Sequence, residues 1–150
     1  MKLYHATICD HLPSIKLHGL APGYPANYEG MQMLNKIYFA LDPEAAIAYA
    51  ETSDTYADED IVVLSVDLNN LEAEQIEYDW NNKCEYETDI NSIAYGKTVP
   101  YNLLTVETKE SIASVSEIKL SNFKGTELYE RITQTFYECC ETCMENISDN

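Results

Sequence analysis

Apolar and polar positions predict several strands along the chain. The segment at 61–67, Ile-Val-Val-Leu-Ser-Val-Asp, is apolar and β-branched, which is typical of a central strand. Residues 72–90 are acidic and aromatic and indicate no clear element. Shorter apolar runs predict further strands at 2–6, 36–41, 91–96, 102–106 and 113–119.

Two short helices are predicted in the first third of the chain. Asp10 is expected to cap the first, which accommodates Pro13 in its first turn and ends at Gly19. The triplet Asp42-Pro43-Glu44 supplies a cap, a proline at the first helical position and an acid in the first turn. The second helix should therefore run from there to about Glu51.

A long helix is predicted at the end of the chain, from about Thr126 to Ile147. Five apolar side chains fall on one stripe at helical spacing: Leu128, Ile132, Phe136, Cys140 and Cys143. Glycine, proline and polar clusters predict loops at 21–35 and 52–60. The elements together predict an α+β fold: one domain over 1–150, with a core at 1–122 and a C-terminal helix at 123–150.

Length and hydropathy limit the class of protein. A chain of 150 residues is long enough to bury one hydrophobic core. No apolar run approaches the roughly 20 residues that span a bilayer. The first residues, Met-Lys-Leu-Tyr-His, lack the apolar stretch of a signal peptide. We therefore expect a cytoplasmic protein with no membrane partner.

The balance of charge disfavours nucleic acid as a partner. Nine Lys and Arg stand against 26 Asp and Glu, a net charge of −17, and Arg131 is the one arginine of the sequence. Nucleic-acid binding depends on Lys and Arg placed against phosphates. An acidic surface favours a basic partner instead, and it could also imitate the charge of DNA or RNA.

Five cysteines suggest reduced thiols. An odd number without a secretory signal disfavours a disulfide framework. Cys139-Cys140-x-x-Cys143 lacks the two spaced pairs that are usual in a zinc site, and cysteines on an apolar helix face usually act as small hydrophobes. We expect no metal.

Three segments carry candidate chemistry. His5 ends a short strand, and an imidazole there suits the hydroxyls of a ribose, although a lone histidine often just bonds the backbone. Tyr38 and Tyr49 could hold a flat aromatic ring between them by stacking, although in a chain with 12 tyrosines either one could be a core residue. Asn91 opens the third segment, Asn-Ser-Ile-Ala-Tyr, which could also be an ordinary strand.

Taken together, these segments resemble a known superfamily. Leu-Tyr-His-Ala-Thr at 3–7 is followed by Gly-Leu at 19–20, by Ile-Tyr-Phe-Ala at 37–40 with a tyrosine downstream, and by a late strand that leads to Val-Pro at 99–100. This succession resembles the ADP-ribosyltransferases. It is most similar to the branch with a His-Tyr-Glu triad, which includes the poly(ADP-ribose) polymerases and the diphtheria-toxin-like enzymes. The resemblance covers residues 2–106 in segments, and it implies split antiparallel sheets around an NAD cleft.

The resemblance implies roles for the first segment. His5 resembles the triad histidine, which bonds the 2′-hydroxyl of the ribose next to nicotinamide. Ala6 stands where the family usually has a glycine whose main chain holds the nicotinamide amide, and alanine keeps both main-chain groups. Thr7 resembles the hydroxyl residue that follows.

It implies roles for the second segment too. Tyr38 resembles the triad tyrosine and Tyr49 the second stacking aromatic. Ala46 lies where some members have a serine that bonds the carboxamide, so that contact is lost. The loop at 21–35 resembles a short form of the loop that covers the cofactor.

The third triad position departs from the family. One alignment places Asn91 there and another Ser92, and neither is a glutamate. An amide or a hydroxyl bonds a ribose but stabilises developing positive charge less than a carboxylate does. Glu87 could substitute only in a different strand register.

The resemblance implies a mono-ADP-ribosyltransferase that uses NAD as substrate and modifies a protein acceptor, with His5, Tyr38, Asn91 and Ser92 in the catalytic positions. The small acidic chain is compatible with an effector from a phage or mobile element that acts on a host system. Two alternatives stay open: an NAD or ADP-ribose binder without turnover, and an acidic inhibitor that acts by protein contact. The related RNA 2′-phosphotransferases share the histidine segment, but they grip phosphates with several arginines.

Overall fold

The structure is a computed structural model that describes residues 1–22, 36–52, 60–79 and 89–148, and of residues 52 and 139–148 it describes the backbone alone. The strands are β1 (Lys2–Ile8), β2 (Ile37–Ala40), β3 (Ile61–Asp67), β4 (Ile76–Tyr78), β5 (Ser92–Tyr95) and β6 (Leu104–Val106). The helices are α1 (Leu12–His18), α2 (Pro43–Thr52), α3 (Lys109–Ala113) and α4 (Glu127–Ser148). The predicted α+β class is confirmed.

The strands form one six-stranded sheet in the order β4-β5-β2-β1-β3-β6, and all neighbouring strands in it are antiparallel. The resemblance implied split sheets, whereas the described strands form a single sheet with a weak seam. β1 pairs with β3 along its whole length, from Lys2–Asp67 to Ile8–Ile61. β1 pairs with β2 at Tyr4–Ala40 alone. The sheet therefore consists of two three-stranded halves joined at one residue pair.

Helices cover both faces of this sheet. The main core lies on one face, where α1 contributes Ile15 and α4 contributes Leu128, Ile132 and Phe136. A smaller cluster lies on the other face beneath α2 and consists of Tyr4, Ala40, Ala46 and Val63. We call this second side the α2 face. Strand side chains alternate between the two faces of the sheet. A residue next to a member of one cluster in a strand therefore lies on the opposite face.

The long helix α4 completes one edge of the sheet. In the described sheet β4 lies at the edge, so its outward main-chain groups need partners from elsewhere. The Tyr78 N–H donates to Thr135 Oγ1 at 2.8 Å, and Arg131 Nε donates to the Ile76 carbonyl at 2.9 Å. Two side chains of α4 thus form the hydrogen bonds to β4 that a neighbouring strand would otherwise form.

A buried carboxylate fastens the opposite half. Glu107 follows β6 and accepts hydrogen bonds from Ser65 Oγ at 2.6 Å, Ser111 Oγ at 2.7 Å and Lys2 Nζ at 3.1 Å. Burial alone would raise the pKa of Glu107, but these hydrogen bonds outweigh it and hold the pKa below 4.5. The carboxylate therefore ties β1, β3 and α3 together.

Capping chemistry explains two helix boundaries. The Ala45 N–H donates to Asp42 Oδ1 at 2.8 Å, as the predicted cap of α2 requires. Gly19 ends α1 with φ +80°, and a Cβ there would lie 2.8 Å from the Val99 carbonyl oxygen. The prediction that Asp10 caps α1 is wrong: Asp10 lies in a short 3-10 turn at Cys9–His11, and α1 follows that turn directly.

One further prediction is wrong. The run at 113–119 is not a strand: its first residue ends α3, and the rest has no regular structure until a 3-10 turn begins at Leu120. A capping box between Thr108 and Ser111 starts α3. The segment at 72–90, which indicated no element, contains β4. The predicted loops at 21–35 and 52–60 lie largely outside the described residues.

The predicted apolar stripe of α4 is buried where its side chains are described, at Leu128, Ile132 and Phe136. The side chains of Cys140 and Cys143 lie outside the described part. Among the described residues, no helix is long and apolar enough to cross a membrane.

Candidate functional site

The imidazole of His5 lies at the seam between the two halves of the sheet. His5 is one residue beyond the Tyr4–Ala40 pair, which is the last pair between β1 and β2. There the His5 Nδ1 lies 2.8 Å from the carbonyl oxygen of Tyr38. The ring also meets Phe39 edge-on, with centroids 6.0 Å apart. A side-chain bond thus bridges the two strands where their pairing stops.

This bond fixes which nitrogen of His5 carries the proton. A carbonyl oxygen only accepts, so Nδ1 donates, and Nε2 of the neutral ring becomes an acceptor. Burial lowers the pKa of His5 below its ordinary 6.5, the Tyr38 carbonyl opposes this, and the nearby His11 lowers it further. At neutral pH the site therefore offers an uncharged acceptor, which suits a hydroxyl donor.

Tyr38 lies on the α2 face. Ile37 and Phe39 belong to the main core, so alternation along β2 directs Tyr38 to the opposite side. Leu3 belongs to the main core as well, so His5 leaves β1 on the side away from Tyr38. The contact between the two residues is therefore ring to main chain, and their side chains start on either side of the seam.

Tyr49 and Asn91 form a second linked pair. Tyr49 lies on α2 and packs against the small cluster of the α2 face. Its hydroxyl donates to Asn91 Oδ1. Asn91 immediately precedes β5, and its carbonyl accepts from the Leu41 N–H at 2.8 Å, just beyond β2. The proposed second stacking aromatic is thus joined to one of the two candidates for the third triad position.

Ser92, the other candidate, is joined to a carboxylate. Its Oγ donates to Asp79 Oδ2 at 2.9 Å, and the two residues are 1 % and 6 % exposed. Asp79 directly follows β4, within the segment that indicated no element. The local sequence around Asp79 predicted no role for it. The alternation Ile76, Tyr78 against Glu77, Asp79 would have placed it on the same side as Ser92 had the strand been predicted.

Pairing across the strands places Ser92 and Tyr38 on one face. Tyr38 lies opposite Ala94, and Ala40 lies opposite Ser92, so Tyr38 and Ser92 are diagonal neighbours on the α2 face. Cβ atoms in such pairs are roughly 7–8 Å apart. The face therefore brings together the triad-like tyrosine, a buried hydroxyl and, through it, a buried carboxylate.

The remaining predicted binding residues lie close by in β1 and α2. Ala6 is half-buried beside the small cluster, and Ala46 is a 4 % exposed member of it. Thr7 is buried, with its Oγ1 2.8 Å from His11 Nδ1. A threonine and a second histidine thus continue the polar side of β1 beyond His5.

Two segments of the resemblance that lie far apart in sequence meet in space. Leu20 and Val99 exchange both main-chain hydrogen bonds at 2.9 Å. The close approach at Gly19 is compatible with glycine alone, since any Cβ would collide with the Val99 carbonyl. The Gly-Leu and Val-Pro motifs therefore form one bridge beside β1.

The described residues give little support for a phosphate site or a metal site. Arg131 bonds the carbonyl oxygens of Ile76 and Glu74, so its guanidinium is committed to structure rather than to a phosphate. Within the ranges that the structure describes, no three metal-ligating side chains cluster. Cys9 is a free, exposed thiol. The side chains of Cys139, Cys140 and Cys143 lie outside the described residues.

In comparisons with protein-family models, curated proteins and solved structures, nothing matches this chain.

Proposed function

We propose that the protein is a mono-ADP-ribosyltransferase that cleaves the bond between nicotinamide and ribose in NAD and transfers ADP-ribose to a protein acceptor. The observation that carries the proposal is the 2.8 Å bond from His5 Nδ1 to the Tyr38 carbonyl at the seam of the sheet. It leaves His5 Nε2 as an acceptor for a ribose hydroxyl at the seam, where the main chain of the Ile-Tyr-Phe-Ala motif holds the other ring nitrogen.

NAD would lie along the seam between β1 and β2. The main chain of Ala6 would face the nicotinamide amide, and Tyr38 and Tyr49 would supply stacking surfaces for the ring. Each such aromatic contact is worth about 0.5–1.5 kcal/mol beyond the area it buries. These residues hold the leaving group and the ribose in one geometry, which is the main requirement of this reaction.

The chemical step is a substitution at C1′ of the ribose. The bond from C1′ to the pyridinium nitrogen breaks, and its electron pair leaves with nicotinamide, which becomes neutral. The acceptor side chain forms the new bond to C1′ and releases its proton. Positive charge grows on the ribose in between, so nearby oxygen atoms that accept or carry negative charge lower the barrier.

The net charge of −17 favours a basic protein as acceptor. Opposite charge raises the rate of encounter, and this effect weakens as salt increases. Such an activity fits an effector from a phage or mobile element that modifies a basic host protein.

The test measures release of nicotinamide from NAD and transfer of label from adenylate-labelled NAD to proteins of a cell lysate. We expect release and transfer by the wild type and by His18→Ala, whose exposed histidine is a matched control. His5→Ala and Tyr38→Ala should lose both while remaining folded by circular dichroism. A wild type that neither releases nicotinamide nor labels any protein would overturn the enzyme proposal.

A second candidate function is binding of NAD without turnover. The observation that favours it is the neutral side chain at both candidate third positions, Asn91 and Ser92. Calorimetry with NAD alongside the nicotinamide assay separates the two functions: binding without release supports this candidate, and release removes it.

A further inference from the structure

We infer that Asn91 holds the ring of Tyr49 in place for the nicotinamide ring, and that it acts through the tyrosine hydroxyl rather than by contact with the ribose. Tyr49 stacks on a ligand only if the ligand carries a flat ring, so this role rests on the proposed function and deepens it. Asn91 is therefore a positioning residue, and Tyr49 is the residue that touches substrate.

The main chain of Asn91 has a fixed place beside β2. Its carbonyl accepts from the Leu41 N–H at 2.8 Å, which extends the pairing of β2 with β5 by one residue beyond Ala40 and Ser92. The strand β2 also carries Tyr38, the other proposed stacking aromatic. A side chain that Asn91 holds is therefore positioned relative to the strand that presents the first ring.

Tyr49 lies on a helix that packs on the sheet through small side chains. The buried cluster beneath α2 has four members, and two of them are alanines, Ala40 and Ala46. The main core on the other face has larger side chains, such as Phe39 and Leu64. Small side chains make few van der Waals contacts, so packing alone fixes the position of Tyr49 weakly. A hydrogen bond at the tip of its side chain adds a directional constraint.

The bond from the Tyr49 hydroxyl to Asn91 Oδ1 fixes the ring itself. The helix holds one end of the side chain and the amide holds the other, so the ring has little freedom to turn away. A ring that is already in place loses little entropy when a ligand stacks on it, so more of the stacking energy appears as affinity. Tyr38, Tyr49 and Asn91 are each half-buried, which leaves part of both rings accessible to a ligand.

An amide is sufficient for this role. The side-chain oxygen of an asparagine accepts from a hydroxyl as a carboxylate does, and it does so without burying a charge. A carboxylate is the better group only where positive charge develops beside it. The neutral residue at position 91, where the resemblance implies a glutamate, therefore agrees with a partner that is a tyrosine hydroxyl.

A double-mutant cycle with Tyr49→Phe and Asn91→Ala tests this role, with affinity for NAD measured by calorimetry. Each single variant should bind about fivefold more weakly than the wild type. The double variant should be no weaker than Tyr49→Phe, because both changes remove the same bond. Asn91→Asp keeps an acceptor oxygen and should bind within about twofold of the wild type. Tyr137→Phe and Asn102→Ala, both at exposed positions, are the matched controls and should bind as the wild type does.

Turnover and stability give two further readouts. In nicotinamide release, Tyr49→Phe and Asn91→Ala should raise KM for NAD about fivefold and lower kcat less than about twofold, because the lost interaction acts on binding. Loss of a residue that contacts the ribose in the transition state would lower kcat instead. Thermal unfolding shows whether each variant is folded. A bond with a structural role alone would lower Tm and leave the affinity for NAD unchanged.

Three results would overturn the role of Asn91 and leave the proposed function standing. Additive losses in the double variant would mean that Asn91 contacts the ligand itself, as a third triad residue would. Unchanged affinity in Tyr49→Phe would mean that the hydroxyl holds nothing that the ligand uses, and this test serves if Asn91→Ala does not fold. An Asn91→Asp variant as weak as Asn91→Ala would mean that the acceptor oxygen is not the relevant group.

Failure of the proposed function is recognised in the wild type. A wild type that binds NAD without releasing nicotinamide removes the enzyme proposal, and the cycle of affinities still decides the role of Asn91. A wild type that neither binds nor cleaves NAD removes the proposed function and the role of Asn91 with it.

Discussion

A histidine whose Nδ1 proton is held by a main-chain carbonyl has one nitrogen left for a ligand. In His5 that nitrogen is Nε2, and it lies where β1 and β2 separate. Burial keeps the ring neutral by lowering its pKa, because a charged imidazole would lose hydration there. The residue is thus both a bridge between two strands and a preset acceptor.

This arrangement predicts a pH dependence of stability. The folded pKa of His5 lies below 6.5, so between the two values the unfolded chain binds the proton and the folded chain does not. Stability is therefore complete above 6.5 and falls as pH decreases toward the folded pKa, by at most about 1.4 kcal/mol per pH unit. In His5→Gln, urea unfolding at about pH 7 and about pH 5 should show a smaller loss than in the wild type.

His18→Gln is the control for that experiment, since His18 is exposed. Its loss of stability on acidification should match the wild type. Equal losses in His5→Gln and the wild type would mean that His5 keeps its ordinary pKa in the folded chain.

Some residues of the candidate site have local sequence patterns that predict a role, and others do not. His5, Tyr38 and Tyr49 belong to short motifs in which residue type and local strand or helix pattern suggest a role together. Asp79 lies in a stretch whose aromatic and acidic residues hide a three-residue strand. The hydrogen-bond partner of Asp79 is Ser92, which is 13 residues away in sequence and becomes adjacent only through strand pairing. No local pattern specifies that register.

At the scale of elements, the edge strand β4 depends on α4. Thr135 has two functions: its Oγ1 accepts from the Tyr78 N–H and donates to carbonyl oxygens of its own helix. Thr133, one half-turn away, donates to carbonyl oxygens of its own helix in the same manner. The two threonines therefore differ in the bond to the sheet.

Thr135→Val should destabilise the protein by about 1–3 kcal/mol, because valine keeps the shape of the side chain but removes the oxygen to which the buried Tyr78 N–H donates. Thr133→Val should cost much less. Chemical denaturation of both variants measures the difference. Equal free energies of unfolding for the two would show that the bond to β4 contributes nothing.

Elements with strong local signals agree with the sequence prediction. β3 is mostly apolar and β-branched, α2 has its cap and first-turn proline, and α4 has an apolar stripe. The strand predicted at 113–119 is absent. Its first residue, Ala113, ends the helix α3 that Thr108 and Ser111 start with a capping box, and residues 114–119 have no regular structure.

At the scale of the whole molecule, repulsion among acidic groups opposes folding. A net charge of −17 on 150 residues raises the energy of the compact state, and salt screens it. Raising NaCl from about 0.05 M to about 0.5 M at neutral pH should therefore raise Tm by several degrees. Near pH 5, closer to the isoelectric point of about 4.3, the increase should be smaller. A Tm that is independent of salt at neutral pH would contradict this account.

The hydrogen bonds from α4 to β4 also have a consequence for folding during translation. A ribosome releases β1, β2 and β5 long before Arg131, Thr135 and Phe136 emerge, and until then the edge of β4 and the core beneath it are uncovered. The nascent chain therefore cannot position Asp79 beside Ser92 until its last helix is available. Any property that depends on this pair therefore arises only after translation has passed that helix.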